Sequence, residues 1–156
     1  MPENTDLVLT VRRDINAARS IVWKCWTDAE LLKQWYVPRP WSLSEADLDV
    51  RPGGRFNSVM RGPEGERMDL VGCYLEVVPQ ERLIFSDSYS EGFMPRSESF
   101  MTGVVELKDN AAGGTTMVWS ARHATAEAVQ QHLDMGFEAG WNAAADQLEE
   151  LVKTVS

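Results

Sequence analysis

The 156-residue sequence contains only two cysteines and two histidines, and its 15 Lys and Arg are outnumbered by 24 Asp and Glu. A net charge of -9 works against binding a phosphate backbone, which needs a basic patch to displace counterions. An anionic membrane surface is disfavoured for the same reason. Neither nucleic acid nor membrane is therefore expected as a partner. No apolar run reaches the roughly 18 residues of a membrane span, and the start, "MPENTDLVLT", has neither a basic leader nor an apolar core. These absences predict a soluble, cytoplasmic protein. Cys25 and Cys73 form no CxxC pair and lack a histidine at metal-ligand spacing, so both read as reduced core residues.

Catalytic templates are missing as well. There is no HExxH, GxSxG, GxGxxG or phosphate loop ending in GKS or GKT. The adjacent glycines of "RPGGR" lack the strand-to-helix context of a phosphate cradle and read as a hairpin turn. With two histidines, a metal site would need carboxylates, and His132 and Asp134 point to different faces of a helix. His132 is expected at a solvated or rim position, and His123 as a core histidine with a satisfied hydrogen bond. Asp87 and Glu98 could act as bases only if desolvated, and "SDSYSEG" is polar enough to hydrate Asp87. The expectation is no catalytic residue, no metal and no cofactor.

Six Trp residues are present, enough for a bulky core or an aromatic-lined pocket. "LVLTVRRDI" reads as a first strand. Ile21, Val22, Cys25 and Trp26 recur at helical spacing; Asp28 offers a cap to a second short helix carrying Leu31, Leu32 and Trp35; Pro38 and Pro40 end it. From Ser44 to His123, β-rich runs alternate with Gly, Pro, Asn and Asp, which gives six antiparallel strands here and seven in all. Thr125 can cap a long amphipathic helix to about Lys153, with Val129, Leu133, Phe137, Ala144 and Leu148 in its stripe. The consistent reading is one α+β domain over residues 1–156.

Within that helix, "MGFEAGW" keeps two glycines, each costing a helix interior about 1 kcal/mol relative to Ala. Gly136 and Gly140 are four residues apart and would share one face. Either the helix packs closely on the sheet there, or a space is left between them.

The order of strand, two short helices, meander and C-terminal helix, with "WTDAELLKQWY", "DVRPGGRF", "GCYLEVVPQERLIFSD", "GGTTMVWSARH" and "MGFEAGW", resembles the START-like helix-grip (SRPBCC) superfamily. Within it the sequence is similar to the subgroup of the C-terminal domain of the activator of heat-shock protein 90 ATPase, from about Leu7 to Val152. The resemblance implies a curved sheet gripping the long helix, with a cavity for a small apolar or aromatic ligand. Strand parity then turns Met101, Gly103, Met117 and Trp119 inward; Gly72 and Tyr74 follow the family pattern, and Met60 and Phe85 join them. Leu133, Gly136, Phe137 and Gly140 line the helix side. Trp35, Tyr36 and Trp41 surround the proline loop near one mouth, or else pack as core between helices and sheet, and Tyr89 and Phe93 sit on a flap. Trp141 is expected over the helix flank. Three functions compete: a ligand-binding module, a cyclase or aromatase using His123, Tyr74 or Asp87, and a chaperone partner. A homodimer is compatible with the sequence, which carries no distinct interface signal.

Overall fold

A computed structural model describes residues 4–156, so residues 1–3 of the expected domain lie outside the described residues. A 3-10 turn (Asn4–Leu7) precedes β1 (Val8–Ile15). Helix α1 (Arg19–Thr27) buries Val22, Cys25 and Trp26, the stripe that helical spacing places on one face. The Asp28 carboxylate accepts from the backbone N–H groups of Glu30 and Leu31 and so caps α2 (Ala29–Leu32).

Strands β2 (Ser42–Leu48), β3 (Arg55–Arg61), β4 (Arg67–Val78), β5 (Arg82–Ser86), β8 (Thr102–Asp109) and β9 (Thr115–Arg122) follow, with a two-residue pair β6 (Tyr89–Ser90) and β7 (Met94–Pro95) between β5 and β8. The main sheet has seven strands in the order β1-β9-β8-β5-β4-β3-β2, and every pairing in it is antiparallel. Register shifts between Leu43 and Glu45 and between Tyr74 and Glu76 add local twist and help the sheet curl. "RPGG" is the turn between β2 and β3. The concave face carries the core, and α4 (Phe137–Leu151) lies across it, burying Phe137, Ala144, Ala145 and Leu148. This is the helix-grip arrangement.

The C-terminal helix is not continuous from Thr125 to Lys153. Thr125 does cap α3 (Ala126–Asp134), accepting from the N–H of Ala128, but the chain breaks at Met135 and Gly136 before α4 begins. Gly136 has φ +92°, a left-handed conformation that side chains disfavour. It closes α3 by donating to Leu133 O and opens α4 by accepting from Gly140 N. Gly136 and Gly140 therefore do different jobs. Gly136 is exposed, with no atom near where a Cβ would stand, whereas a Cβ on Gly140 would meet Pro38 at an ordinary 3.9 Å.

Two side chains hold α4 in place. Arg13 of β1 reaches across to Asn142, Asp146 and Glu149. From the other side, the buried Gln147 donates through Nε2 to the carbonyls of Trp35 and Val37, both at 2.9 Å, and accepts from the N–H of Arg39 at 2.9 Å.

Replacing Gln147 by Leu leaves two carbonyls and one N–H without their partner, and urea unfolding should record a loss of about 2–4 kcal/mol. Gly140→Ala should stabilise by up to about 1 kcal/mol, while Gly136→Ala should destabilise by about 1–2 kcal/mol; equal effects at the two positions would contradict the break.

Candidate functional site

The concave face is built in cross-strand rows. Phe56 stands opposite Gly72; Tyr74, Phe85, Gly103 and Ala121 form a second row; Leu83, Val105, Trp119 and Val11 form a third. The glycines make room in these rows. A Cβ on Gly103 would lie 2.5 Å from the Phe85 ring, and one on Gly72 would press on the carbonyl oxygens of Phe56 and Ser86 at 3.2 Å.

Trp26 from α1 and Trp35 and Tyr36 from beyond α2 descend onto these rows. Trp26 meets Trp35 and Trp119 edge-on, with centroids 4.7 and 5.2 Å apart. Tyr36 stacks on Trp119 at 6.1 Å, and Trp141 of α4 stacks on it at 4.2 Å. Phe56 touches Tyr36, Tyr74 and Phe85, which makes the aromatic interior continuous from α1 to β5.

Its polar atoms are unevenly served. The Trp35 indole N–H donates to Cys25 O at 2.9 Å. The indole N–H groups of Trp26 and Trp119, the Tyr74 hydroxyl and the Ser58 hydroxyl are buried with no partner among the described residues. Each such group costs about 1–3 kcal/mol unless something from outside the chain meets it. Burial pushes the pKa of both Tyr36 and Tyr74 up, and the Tyr36 hydroxyl and the Asp49 charge add to the shift at Tyr74. Both remain protonated donors across the ordinary pH range. Cys25 is also an inert thiol, pushed up to about 11 by burial and then by Asp28, against an opposing effect of Lys24.

A second polar feature lies beside this interior. His123 Nδ1 is 3.0 Å from Leu7 O, and a carbonyl only accepts, so His123 carries its proton on Nδ1. Its Nε2 is then the acceptor for His132 Nδ1 at 2.9 Å. His132 is buried edge-on against Phe100, Phe137 and Trp141, which corrects the expected solvated or rim position. Its sequence neighbours Gln131 and Leu133 are exposed, so helix patterning did not mark it. His123 is the satisfied core histidine that was expected.

The sequence-predicted positions divide into four groups. Tyr74, Phe85, Gly103, Met117 and Trp119 come together on the concave face with Gly72; Trp35 and Phe137 are buried beside them from the helix side. Trp41, Met60 and Met101 pack at its margin, half-buried. Leu133, at 37% exposure, and Gly136 point away from it; Gly140 faces Pro38. Tyr89 and Phe93 belong to the β6–β7 hairpin. Phe93, though 47% exposed, lies over Gly53, and Gly92 N donates to Gly53 O, so the hairpin is docked on the "RPGG" turn. Asp87 accepts from the N–H groups of Phe100 and Met101 and holds the start of β8. Trp26 and Phe56 are the site residues that the sequence did not point to; Tyr36, expected near the mouth, and Trp141, expected over the helix flank, both stack on Trp119. The buried stripe of α1 already contained the signal for Trp26.

Among the described residues no group of three or more His, Cys, Asp or Glu could hold a metal ion, and no helix is long and apolar enough to cross a membrane. A shallow groove lined by Arg12, Glu106, Lys108 and Thr116 lies on the opposite, convex face and is open to solvent.

Burial, reinforced by the neighbouring His123, lowers the pKa of His132 to about 4. The unfolded chain therefore binds a proton that the folded protein refuses. Stability from this group is complete above the unfolded value near 6.5 and falls by about 1.4 kcal/mol per pH unit as pH drops towards 4. Urea unfolding between about pH 5 and 6.5 should show this slope, and His132→Phe should flatten it; an unchanged slope would show that His132 is hydrated.

A sequence model of the family described as "Activator of Hsp90 ATPase homolog 1-like protein" matches residues 16–153. No curated protein matches the chain. Among solved structures, a protein of Nitrosomonas europaea is 39% identical with a TM-score of 0.93, over 97% of each chain. A protein of Mycobacterium smegmatis is 30% identical with a TM-score of 0.77, covering 96% of this chain and 92% of its own. A Rhodobacter sphaeroides protein shares the fold, with a TM-score of 0.82 at 23% identity over 98% of this chain and 97% of its own. The chain thus belongs to the family of Activator of Hsp90 ATPase homolog 1-like proteins.

Proposed function

We propose that this protein encloses a small, largely aromatic molecule between the curved sheet and α4. One observation carries the reading: buried donors from Trp26, Tyr74 and Trp119 have no protein partner, inside walls that are otherwise aromatic and aliphatic. A core selected for packing alone would pair these groups or replace them with hydrocarbon. Pockets of this kind combine apolar walls with a few convergent polar atoms.

The description of the family favours a second reading, stimulation of a chaperone ATPase. Exposed Leu133 and Met135, at the end of α3, offer an apolar contact for such a partner. ATP turnover by purified heat-shock protein 90, with and without this protein, tests it; an unchanged rate removes it.

For the ligand reading, native mass spectrometry of the purified protein should reveal a reproducible non-covalent mass that is lost on denaturation. Tryptophan emission should also change on titration with tetralin, because Trp26, Trp35, Trp119 and Trp141 are all in the aromatic interior. A clean mass together with flat emission up to millimolar tetralin would exclude an enclosed aromatic ligand.

A further inference from the structure

The two helices on either side of Gly136 are held to the rest of the molecule very differently. Helix α4 buries Phe137, Ala144, Ala145, Gln147 and Leu148, and Gln147 and Arg13 anchor it from both sides. Helix α3 buries one side chain in nine residues, that of His132. Val129 is only half-buried and Leu133 is exposed, although both lie in the stripe that amphipathic spacing turns towards a core. So little burial offers α3 few interactions, and nine residues are too few to stay helical alone in water.

The attachment is a single side chain. His132 Nδ1 donates to His123 Nε2 at 2.9 Å, and the ring sits edge-on against Phe100, Phe137 and Trp141, with centroids 4.9, 5.0 and 5.5 Å away. Among the described residues no other side-chain hydrogen bond joins α3 to a different element; the pairs of Thr125 with Ala128 and of Gln130 with Asp134 stay within the segment. At its far end α3 meets α4 at Gly136, which is exposed and has open space where a Cβ would stand. A residue without a side chain absorbs large backbone changes at low cost, as a hinge requires.

We propose that α3 is a lid, which opens as a unit on Gly136 while the sheet and α4 stay folded, and that His132 is its latch. Opening withdraws the His132 ring from Phe137 and Trp141, and Trp141 in turn stacks on Trp119 at 4.2 Å, so the movement uncovers one flank of the aromatic interior. Resting on the ligand-enclosing reading above, this flank is the way in. Moving elements of binding proteins are drawn from segments that open well below the global unfolding free energy.

Hydrogen exchange of the whole protein, followed by NMR at neutral pH, tests the lid without any ligand. The amides from Val129 to Gly136 should share one protection value, roughly tenfold or more below that of Ala144 to Leu148 in α4. His132→Ala should lower the protection of α3 by about a further tenfold, the loss of one net hydrogen bond and its ring contacts, and leave α4 unchanged. Protection of α3 equal to that of α4, or values that rise residue by residue from the helix ends with no common level, would overturn the lid. The access role is read separately by stopped-flow tryptophan fluorescence, where tetralin should enter His132→Ala faster than the unsubstituted protein by the same factor. Binding of tetralin at an unchanged rate would overturn entry by this flank. Absence of tetralin binding would remove the ligand-enclosing reading and the access role with it, while the lid stands or falls by the exchange data alone.

Discussion

A primary amide offers one acceptor oxygen and a two-hydrogen donor, and Gln147 uses both ends on the segment between α2 and β2. Its Nε2 donates to the carbonyls of Trp35 and Val37, and its Oε1 accepts from Arg39. The segment thereby becomes an added layer on α4, although it has no regular structure of its own. Trp35 and Tyr36 are carried inward by this attachment, where they meet Trp26 and Trp119. Arg13 holds α4 from the β1 side. The depth at which α4 sits, and with it the shape of the aromatic interior, depends on these two anchors.

The interior treats its polar groups in two ways. His132 donates to His123 and His123 to Leu7 O, in a directed chain that ties α3 to the end of β9. Such a chain stabilises only while His132 remains uncharged, because its surroundings are the rings of Phe100, Phe137 and Trp141. The donors of Trp26, Tyr74 and Trp119 have no comparable arrangement. A molecule that needed these residues only to fill volume could use Leu or Phe in their place at little cost. Keeping donors where the protein offers no acceptor is understandable if the acceptor arrives with something bound.

The family's name concerns chaperone activation, yet the features with the greatest physical cost here are internal. Fold and family do not choose between an enclosed ligand and a surface partner, since one scaffold serves many sites. The unpaired donors do favour one of them.

Local rules made much of the architecture legible. Period-two alternation marked the strands and turned Met117, Trp119, Ala121 and His123 to one side; helical spacing marked Val22, Cys25 and Trp26; Asp28 and Thr125 were recognisable as caps because capping is a contact between near neighbours. The glycines of the last segment were visible, but their roles were not. Spacing says which residues share a helical face and nothing about φ, so a helix end at Gly136 looked the same as a close approach at Gly140. His132 was missed for a related reason: its partner is His123, and no local pattern on α3 could report a hydrogen bond to the end of a distant strand. Which residues form strands and helices, and which of their faces are apolar, was readable locally, because those depend on periods of two and 3.6 within one segment. That Gln147 anchors the Trp35–Arg39 segment, that His132 is buried, and that the donors of Trp26, Tyr74 and Trp119 find no acceptor could not be read locally, because each depends on side chains brought together from distant parts of the chain.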